Sequence, residues 1–271
     1  MDALRRLDDW PATTVAAVVV DSSGQRSTKG PIERPLRLAS VTKPLVALAV
    51  LVAAEEGIVS LDEPCGPPGS SLRHLLSHSS GLSPEQRRLL TEPGTRRIYS
   101  NAAYELASDV VAARADMAFE DYLREAVFEP LGMGSARLEG SPASGGFASA
   151  LDIAAVVDEL RRPDPQLVAR ETRVQLMSPV FPEIAGVLPG FGLHVPNGWG
   201  LGVELRGSKS PHWTGQTNSA ATFGHFGRSG GFFWVDPVVS CGVVVLTDHD
   251  FGPWAASAWP EFADAVLAEL A

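Results

Sequence analysis

The 271-residue chain contains only two cysteines, Cys65 and Cys241, which lie far apart and form no CxxC pair. This scarcity excludes a disulfide framework and a thiolate metal site, because both need several cysteines at suitable spacing. Basic residues are also scarce: 22 Lys and Arg stand against 32 Asp and Glu, for a net charge of −10. Because such an acidic surface repels phosphate groups, binding to nucleic acid or to an anionic membrane is not expected.

Long apolar runs are missing as well. The most apolar stretch, 42–54, contains Lys43 and Pro44 and is too short to span a bilayer. The first ten residues carry acids where a signal peptide would have an uninterrupted apolar segment. We therefore expect a cytoplasmic protein. Hydrophobic residues make up 45% of the chain, which is enough for a substantial core.

Patterns typical of strands lie near both ends of the chain, and patterns typical of helices lie between them. A β-branched run at 13–20 and turn residues at 21–24 predict an N-terminal hairpin. Apolar runs predict strands over 222–226, 232–235 and 241–247. Helices are predicted over 2–9, 40–57, 71–77, 101–115, 119–128, 151–161 and 253–270.

This order predicts a mixed α/β fold, in which N- and C-terminal strands form one antiparallel sheet flanked by helices. Residues 1–39 and 195–271 are expected to form the sheet subdomain. Residues 40–194 are expected to form an inserted, mainly helical subdomain, with the active site in the cleft between the two. The stretch 179–215 is rich in Gly, Pro and aromatics and is interpreted as loops, with one strand at 200–205.

Ser40 and Lys43 stand three residues apart where the apolar helical pattern begins. Residues at this spacing share a helix face, so the hydroxyl and the amine are expected to be neighbours. Free amides and the positive end of the helix dipole would favour an anionic transition state at Ser40. Apolar surroundings would lower the pKa of Lys43 toward that of a base. A lysine that only extends its charge to solvent also fits this short pattern.

Tyr99 and Asn101 stand at the start of the predicted helix 101–115. A neighbouring ammonium group shifts a tyrosine toward phenolate, so Tyr99 is expected to accept a proton from a serine. Asn101 offers both a donor and an acceptor for orienting a substrate. The alternative is that Tyr99 packs in the core and that Ser100 or Asn101 caps the helix.

His225 and Gly227 lie at the end of a predicted strand and are followed by small residues. A glycine there lets a ligand approach the backbone closely, and the amide of Arg228 is a candidate oxyanion donor. The alternative is a strand end and turn with a structural histidine.

These pieces occur in the order S-V-T-K, Y-S-N and H-F-G, which is the order of the S-x-x-K, S-D-N and K-T-G motifs of penicillin-binding proteins and β-lactamases. The chain resembles the class C β-lactamase-like serine hydrolases, a penicillin-binding-protein-like family that includes D,D-peptidases, D-aminopeptidases and esterases. The likeness covers nearly the whole chain. Further segments that carry it are L-A-S-V-T-K-P at 38–44, R-H-L-L-S-H-S-S-G-L at 73–82, P-G at 93–94, P-L-G-M at 130–133, G-W-G-L-G at 198–202, G-H-F-G at 224–227 and V-D-P at 235–237.

The resemblance implies a β-lactamase/transpeptidase-like fold and a role for each matching position. Ser40 would be the acylated nucleophile, and Lys43 and Tyr99 would share its proton as a coupled pair. Asn101 would hydrogen-bond the substrate or Lys43. No metal or organic cofactor is implied.

The resemblance also implies where the oxyanion of the reaction would bind. His225 would line the site opposite Tyr99, in the position where β-lactamases have a lysine. Gly227 would let substrate approach the strand, and the backbone amides of Ser40 and Arg228 would form the oxyanion hole.

The expected function is hydrolysis of small carboxylic esters through an acyl-enzyme. Two expectations favour esters over amides. Histidine is mostly neutral at pH 7, so His225 would bind a substrate carboxylate less strongly than a lysine would, and a cytoplasmic protein does not meet cell-wall peptide. The alternative is amide hydrolysis of the β-lactamase, D,D-peptidase or D-aminopeptidase type, which an inward-pointing Arg228 would favour. A second alternative is a catalytically inactive binding module. The expected partner is a small-molecule substrate, and the oligomeric state is left open.

Three other patterns receive structural interpretations. The segment 227–231 fits the G-x-S-x-G motif of α/β-hydrolases, but a strand pattern follows where that motif needs a helix, so Ser229 is interpreted as a turn residue. His74 and His78 are four apart, but no third metal ligand is indicated, so structural hydrogen bonds are expected. Trp213 is a candidate contact for the acyl group, with core packing as the alternative.

Overall fold

A computed structural model describes residues 1–270 of the chain. The strands are β1 (Val15–Val20), β2 (Arg26–Lys29), β3 (Leu36–Arg37), β4 (Arg137–Leu138), β5 (Gly146–Ala148), β6 (Gly186–Leu188), β7 (Gly192–His194), β8 (Glu204–Leu205), β9 (Phe223–Phe226), β10 (Phe232–Asp236) and β11 (Cys241–Thr247). The α-helices are α1 (Thr42–Glu55), α2 (Leu72–Leu76), α3 (Asn101–Ala115), α4 (Phe119–Leu123), α5 (Ala150–Arg161), α6 (Arg170–Met177) and α7 (Pro253–Leu270). Ala3–Asp9 and Ala39–Val41 form 3₁₀ turns, and Arg124–Phe128 form a π turn that continues α4.

The two ends of the chain meet in one antiparallel sheet with the strand order β2-β1-β11-β10-β9-β8. β1 pairs with β11 along its whole length, from Val15 opposite Thr247 to Val20 opposite Gly242. The mixed α/β fold with a sheet built from terminal strands is therefore confirmed. Two smaller sheets, β3-β5-β4 and the hairpin β6-β7, lie outside this main sheet.

Both faces of the main sheet are covered by apolar side chains, because successive residues of a strand point to opposite faces. On β1, Val18 and Val20 belong to the core cluster that includes α1 and α5, whereas Val19 belongs to the cluster that includes α7. On the α5 side, the side chain of Val157 lies directly against Gly242 of β11. A Cβ atom at position 242 would collide with Val157, so the packing leaves no room for a side chain there. The sheet is thus the rigid layer on which the site residues of β9 are held.

Helix α1 lies inside the protein, with every side chain from Thr42 to Leu51 buried. A helix that is apolar on all sides is stable only when other elements surround it. Its neighbours include α3 and α4. Burial of the whole first turn brings the lysine at its start into a dry environment.

The division of the chain into subdomains at 39/40 and 194/195 stays a prediction. α5 lies within the segment 40–194 by sequence, but it packs on β1 and β11 of the main sheet. Within residues 1–270, no helix is both long and apolar enough to cross a membrane.

The interpretation of 179–215 as loops with one strand missed the hairpin β6-β7, and α6 before it was also not predicted. The hairpin strands have three residues each, and their turn contains Pro189 and Gly190, so no alternating pattern reaches a readable length. In α6, five of the eight residues are polar or charged and only Val174, Leu176 and Met177 are apolar, so its apolar periodicity is weak. The predicted strand at 200–205 is reduced to β8 at Glu204–Leu205.

Candidate active site

Ser40 lies in the 3₁₀ turn Ala39–Val41 that leads into α1, whereas the sequence predicted an α-helix from Ser40 onward. Ala39 has a φ of +46°, a conformation that non-glycine residues adopt rarely and that occurs at functional turns. The turn and the first helical residues still bring the two side chains together, as expected. The Nζ atom of Lys43 lies 3.4 Å from Oγ of Ser40.

The amine of Lys43 is fully buried and has two further oxygen partners. It donates to Oδ1 of Asn101 at 2.7 Å and to the carbonyl oxygen of Ala143 at 2.8 Å. Burial lowers the pKa of Lys43 to about 7, although the negative charges of Glu85 and Glu105 favour the ammonium form. The pKa of Lys43 is therefore lowered, as expected from the sequence, and the amine can exchange a proton near neutral pH.

Tyr99 packs against the amine, with Nζ of Lys43 4.7 Å from the centre of its ring. The expected shift toward phenolate is wrong, because burial raises the pKa of Tyr99. The nearby Ser40 hydroxyl offsets only part of this rise, and the charge of Glu85 adds to it. Within residues 1–270 the Tyr99 hydroxyl has no hydrogen-bond partner. It is therefore a protonated hydroxyl that is free to interact with a substrate.

Asn101 is the first residue of α3, and its side chain connects Lys43 with a carboxylate. Its Nδ2 atom donates to Oε1 and Oε2 of Glu85 at 2.9 and 3.1 Å. Ser100 caps the helix, because its hydroxyl accepts from the amide of Ala103 at 3.2 Å. Asn101 was expected to hydrogen-bond either the substrate or Lys43, and in the structure it contacts Lys43.

His225 of β9 is buried opposite Tyr99, with 6.0 Å between the ring centres. Its Nδ1 atom lies 2.7 Å from the carbonyl oxygen of Phe226, so Nδ1 carries the hydrogen and Nε2 is left as an acceptor. Burial and the nearby Lys43 lower the pKa of His225 to about 3. The ring is therefore neutral at physiological pH and offers one free lone pair.

The end of β9 passes close to the turn that holds Ser40. A side chain at Gly227 would collide with the carbonyl oxygen of Leu38, so only glycine allows this approach. The amide of Gly227 itself donates to Gly231 at 2.8 Å. Among the backbone hydrogen bonds of residues 1–270 outside regular helices and strands, none uses the amides of Ser40 and Arg228. Their role as donors of an oxyanion hole stays a prediction.

A cavity of about 320 Å³ opens beside Ser40. Its walls are mainly apolar and aromatic, and the exposed Arg228 lies at its rim. Three buried polar atoms of lining residues, Oη of Tyr99, Nε1 of Trp199 and Nε2 of His225, have no partner among the described residues. The lining residues are Ser40, Tyr99, Leu188, Pro189, Gly190, Trp199, Glu204, His225, Phe226, Arg228 and Phe251.

Trp213 does not line this cavity. It is buried in the core cluster beneath the sheet, and its indole N–H donates to Oε2 of Glu204 at 2.9 Å. The interpretation as an acyl contact is therefore corrected to core packing, because its ring packs against Phe226 and Phe232 instead. The tryptophan that does line the cavity is Trp199, in the G-W-G-L-G segment.

Sequence reasoning missed several residues at the site. Trp199 stands in a motif noted for family likeness, which was a usable signal. Glu85, Glu204 and Phe251 lie in loops or in a two-residue strand, where spacing does not indicate which side chains meet.

The two histidines of α2 and the following turn make hydrogen bonds within the protein. Nδ1 of His74 lies 2.9 Å from the hydroxyl of Ser71, and Nδ1 of His78 accepts from the amide of Ser100 at 3.1 Å. Among residues 1–270, no group of three or more His, Cys, Asp or Glu side chains is arranged to hold a metal ion. Ser229 is followed by β10, so the strand expected after it is present.

Comparison with known proteins shows which proteins this chain resembles in sequence and fold. A crystal structure of a β-lactamase from Mycobacterium bovis is 49% identical, covers 99% of both chains and superposes with a TM-score of 0.96. EstCE1, a hydrolase with promiscuous acyltransferase activity, has the same fold at 18% identity, with a TM-score of 0.79 over 97% of this chain and 96% of its own.

Penicillin-binding protein 4* of Bacillus subtilis is 26% identical over 145 residues, which cover 39% of this chain. The matched region spans 32% of that protein, so this chain covers about a third of its length. The sequence profile of the family described as Beta-lactamase matches residues 15–268, nearly the whole chain. The expected resemblance is thereby confirmed, and the chain belongs to the β-lactamase family of serine hydrolases.

Proposed function

We propose that the protein hydrolyses small carboxylic esters through an acyl-enzyme formed on Ser40. The observation that carries this proposal is the 3.4 Å approach of the buried Lys43 amine to the Ser40 hydroxyl at the edge of an open cavity. An amine with a pKa of about 7 is half neutral at that pH, so it serves as a general base without help from a metal.

Acylation would proceed by proton transfer from Ser40 to Lys43 while Oγ forms a bond to the ester carbonyl carbon. The negative charge that develops on the carbonyl oxygen would be held by the amides of Ser40 and Arg228. As the bond to the alkoxide breaks, the proton on Lys43 would return to this leaving group through the Tyr99 hydroxyl. A water molecule then attacks the acyl carbon, gives its proton to the same pair of groups and releases the acid with Ser40 restored.

The surroundings of the cavity support esters as the preferred substrates. Its walls include Leu188, Trp199, Phe226 and Phe251, which favour a small apolar acyl group. His225 is neutral, so it supplies no charge for a substrate carboxylate. A neutral ester also has a better leaving group than an amide and needs less assistance from a general acid.

A second candidate activity is β-lactam hydrolysis. It is favoured by the 49% identity to a Mycobacterium bovis protein described as a β-lactamase. The exposed guanidinium of Arg228 lies at the cavity rim, where it would pair with the carboxylate of a β-lactam. The two candidates share Ser40 and the backbone amide of Arg228, and they differ in whether the Arg228 guanidinium takes part.

The test is intact-mass spectrometry of wild-type protein and Ser40→Ala after incubation with a serine-directed phosphonate and, separately, with a penicillin. We expect a phosphonate adduct on wild type, none on Ser40→Ala, and turnover of p-nitrophenyl butyrate by wild type only. A stable or turning-over penicillin adduct would favour the second candidate. Absence of any adduct or turnover in the folded wild type would instead indicate an inactive binding module.

A further inference from the structure

A carboxylate outside the three motifs holds one of the site residues. Oε1 and Oε2 of Glu85 accept from Nδ2 of Asn101 at 2.9 and 3.1 Å, while Oδ1 of the same amide accepts from Lys43 at 2.7 Å. Glu85, Asn101 and Lys43 thus form a continuous chain from the protein surface to the buried amine.

Glu85 is exposed, but the backbone that carries it is fixed to the start of α3. The carbonyl oxygen of Pro84 accepts from the amide of Asn101 at 2.7 Å. The carbonyl oxygen of Ser83 accepts from the hydroxyl of Ser100 at 2.7 Å. Because α3 has fifteen residues, its N-terminal dipole also favours a negative charge at this place. The position of the carboxylate is therefore built into the fold.

The carboxylate decides which way the Asn101 amide faces. A carboxylate accepts hydrogen bonds and donates none, so it binds the NH₂ end of the amide. The oxygen end must then face Lys43. In the reversed orientation, the NH₂ group would meet the N–H donors of Lys43, and the amide oxygen would meet the carboxylate, so both contacts would be repulsive.

We propose that Glu85 is a positioning residue for the base, which it controls through the orientation of the Asn101 amide. The inference rests on the proposed function only in treating Lys43 as the group that activates Ser40. With the amide oxygen held toward Lys43, two N–H groups of the amine are directed to Asn101 and Ala143, and its third position is directed to Ser40.

The charge of Glu85 also acts on the protonation of Lys43, together with other groups around the amine. Glu85 and Glu105 favour the ammonium form, whereas burial opposes it. The titratable groups that face Lys43 from the surrounding elements are Glu85, Glu105, Tyr99, Tyr104, His78 and His225.

The variants that test the proposal are Glu85→Ala, Glu85→Gln and Glu105→Gln. Glu85→Ala removes the acceptor for the Asn101 amide, whereas Glu85→Gln removes the charge and keeps one acceptor oxygen. Glu105→Gln is the matched control, because it removes a charge that acts on Lys43 while Glu105 contacts Ser141 and not Asn101. The readouts are the rate of Ser40 phosphonylation, kcat for ester turnover, and an NMR titration of the Lys43 side chain.

For Glu85→Ala we expect phosphonylation and kcat at high pH to fall about tenfold, the size of one lost charge-assisted hydrogen bond. Glu85→Gln is expected to stay within about threefold of wild type in these rates, as a conservative rescue. In all three variants the pKa of Lys43 should be a few tenths of a unit lower than in wild type, because a charge that favours the ammonium form is lost. The shift should be small, because charges near the surface act weakly.

Equal losses in Glu85→Ala and Glu105→Gln, or unchanged rates in Glu85→Ala whatever its Lys43 titration, would overturn the positioning role. The titration does not require turnover, so it separates this result from a failure of the proposed function. A wild type that is phosphonylated at Ser40 but hydrolyses no ester would disprove ester hydrolysis, and the variant series would still decide the role of Glu85.

Discussion

The Nζ atom of Lys43 lies 2.7 Å from Oδ1 of Asn101, closer than to the hydroxyl it would deprotonate. Its second acceptor is the carbonyl oxygen of Ala143 at 2.8 Å, and Ser40 lies at 3.4 Å. A neutral amine has two N–H donors and one lone pair. Two acceptors and one hydroxyl are compatible with the neutral form, in which the lone pair would be directed to Ser40. Burial of Lys43 favours this base-competent state.

The first prediction concerns the pH dependence of the reaction. Below the pKa of Lys43, about 7, the ammonium form has no lone pair, so kcat/KM should fall tenfold for each pH unit. Above it, kcat/KM should reach a plateau. The measurement is kcat/KM for p-nitrophenyl butyrate from pH 5 to 9. A profile that is flat across this range would exclude Lys43 as the base.

The second prediction concerns Tyr99. Tyr99→Phe should slow acylation by roughly 10²–10⁴-fold, as expected for a positioned proton donor. Since the Tyr99 hydroxyl makes no hydrogen bond within residues 1–270, the free energy of unfolding should change by less than about 1 kcal/mol. Stopped-flow acylation rates and urea denaturation check these two expectations.

Tyr104→Phe is the matched control for this variant. The Tyr104 hydroxyl donates to the carbonyl oxygen of Leu76 at 2.8 Å, so its removal should cost about 1 kcal/mol of stability. It should leave acylation nearly unchanged. If Tyr99→Phe acylates within threefold of wild type, Tyr99 has no part in proton transfer.

The third prediction concerns the contact between β9 and the Ser40 turn. Gly227→Ala places a methyl group against the carbonyl oxygen of Leu38, so the strand end and the Arg228 amide must move away from Ser40. We expect kcat to fall by about 10²-fold, the size reported for loss of one oxyanion donor. Gly134→Ala is the control, because no atom lies within 4 Å of the added methyl group. Equal activities of the two variants, both folded, would argue against an oxyanion hole at this contact.

Helix α3 shows what the sequence could predict. Ser100 caps it, apolar residues recur along it, and both of its bounds, Asn101 and Ala115, match the prediction. The strands β1, β10 and β11 were readable for a similar reason, because each is a largely continuous apolar run. Periodicity and capping depend on residues close in sequence, so they predict individual elements well.

Contacts between distant segments could not be read in this way. Trp213 and Trp199 lie in the same Gly-rich and Pro-rich stretch, and only the folded chain shows which of them reaches the cavity. The direction of the Tyr99 pKa also depends on burial, which outweighs the neighbouring groups. The cytoplasmic location stays a prediction.

The last prediction concerns a buried group of charges behind the cavity. The carboxylate of Glu204 pairs with Lys209 and accepts from Nε2 of His212 at 2.9 Å and from the indole N–H of Trp213 at 2.9 Å. Burial would raise the pKa of Glu204, but His212 and Lys209 lower it well below 4.5. The carboxylate therefore stays ionised in the folded protein, and the stability it contributes is present above pH 4.5 and is lost as the pH falls toward the lowered pKa.

Glu204→Gln should destabilise the protein by about 3–5 kcal/mol at pH 7, because it leaves the Lys209 ammonium buried without an anion. The measurement is the free energy of unfolding in urea at pH 7. Asp62→Asn is the control: it breaks the exposed pair with Arg73, 2.7 Å apart, and should cost less than about 1 kcal/mol. In the double variant Glu204→Gln/Lys209→Met, part of the loss should return, because no unpaired ammonium is left. If Glu204→Gln costs no more than Asp62→Asn, the buried charges do not stabilise this part of the fold.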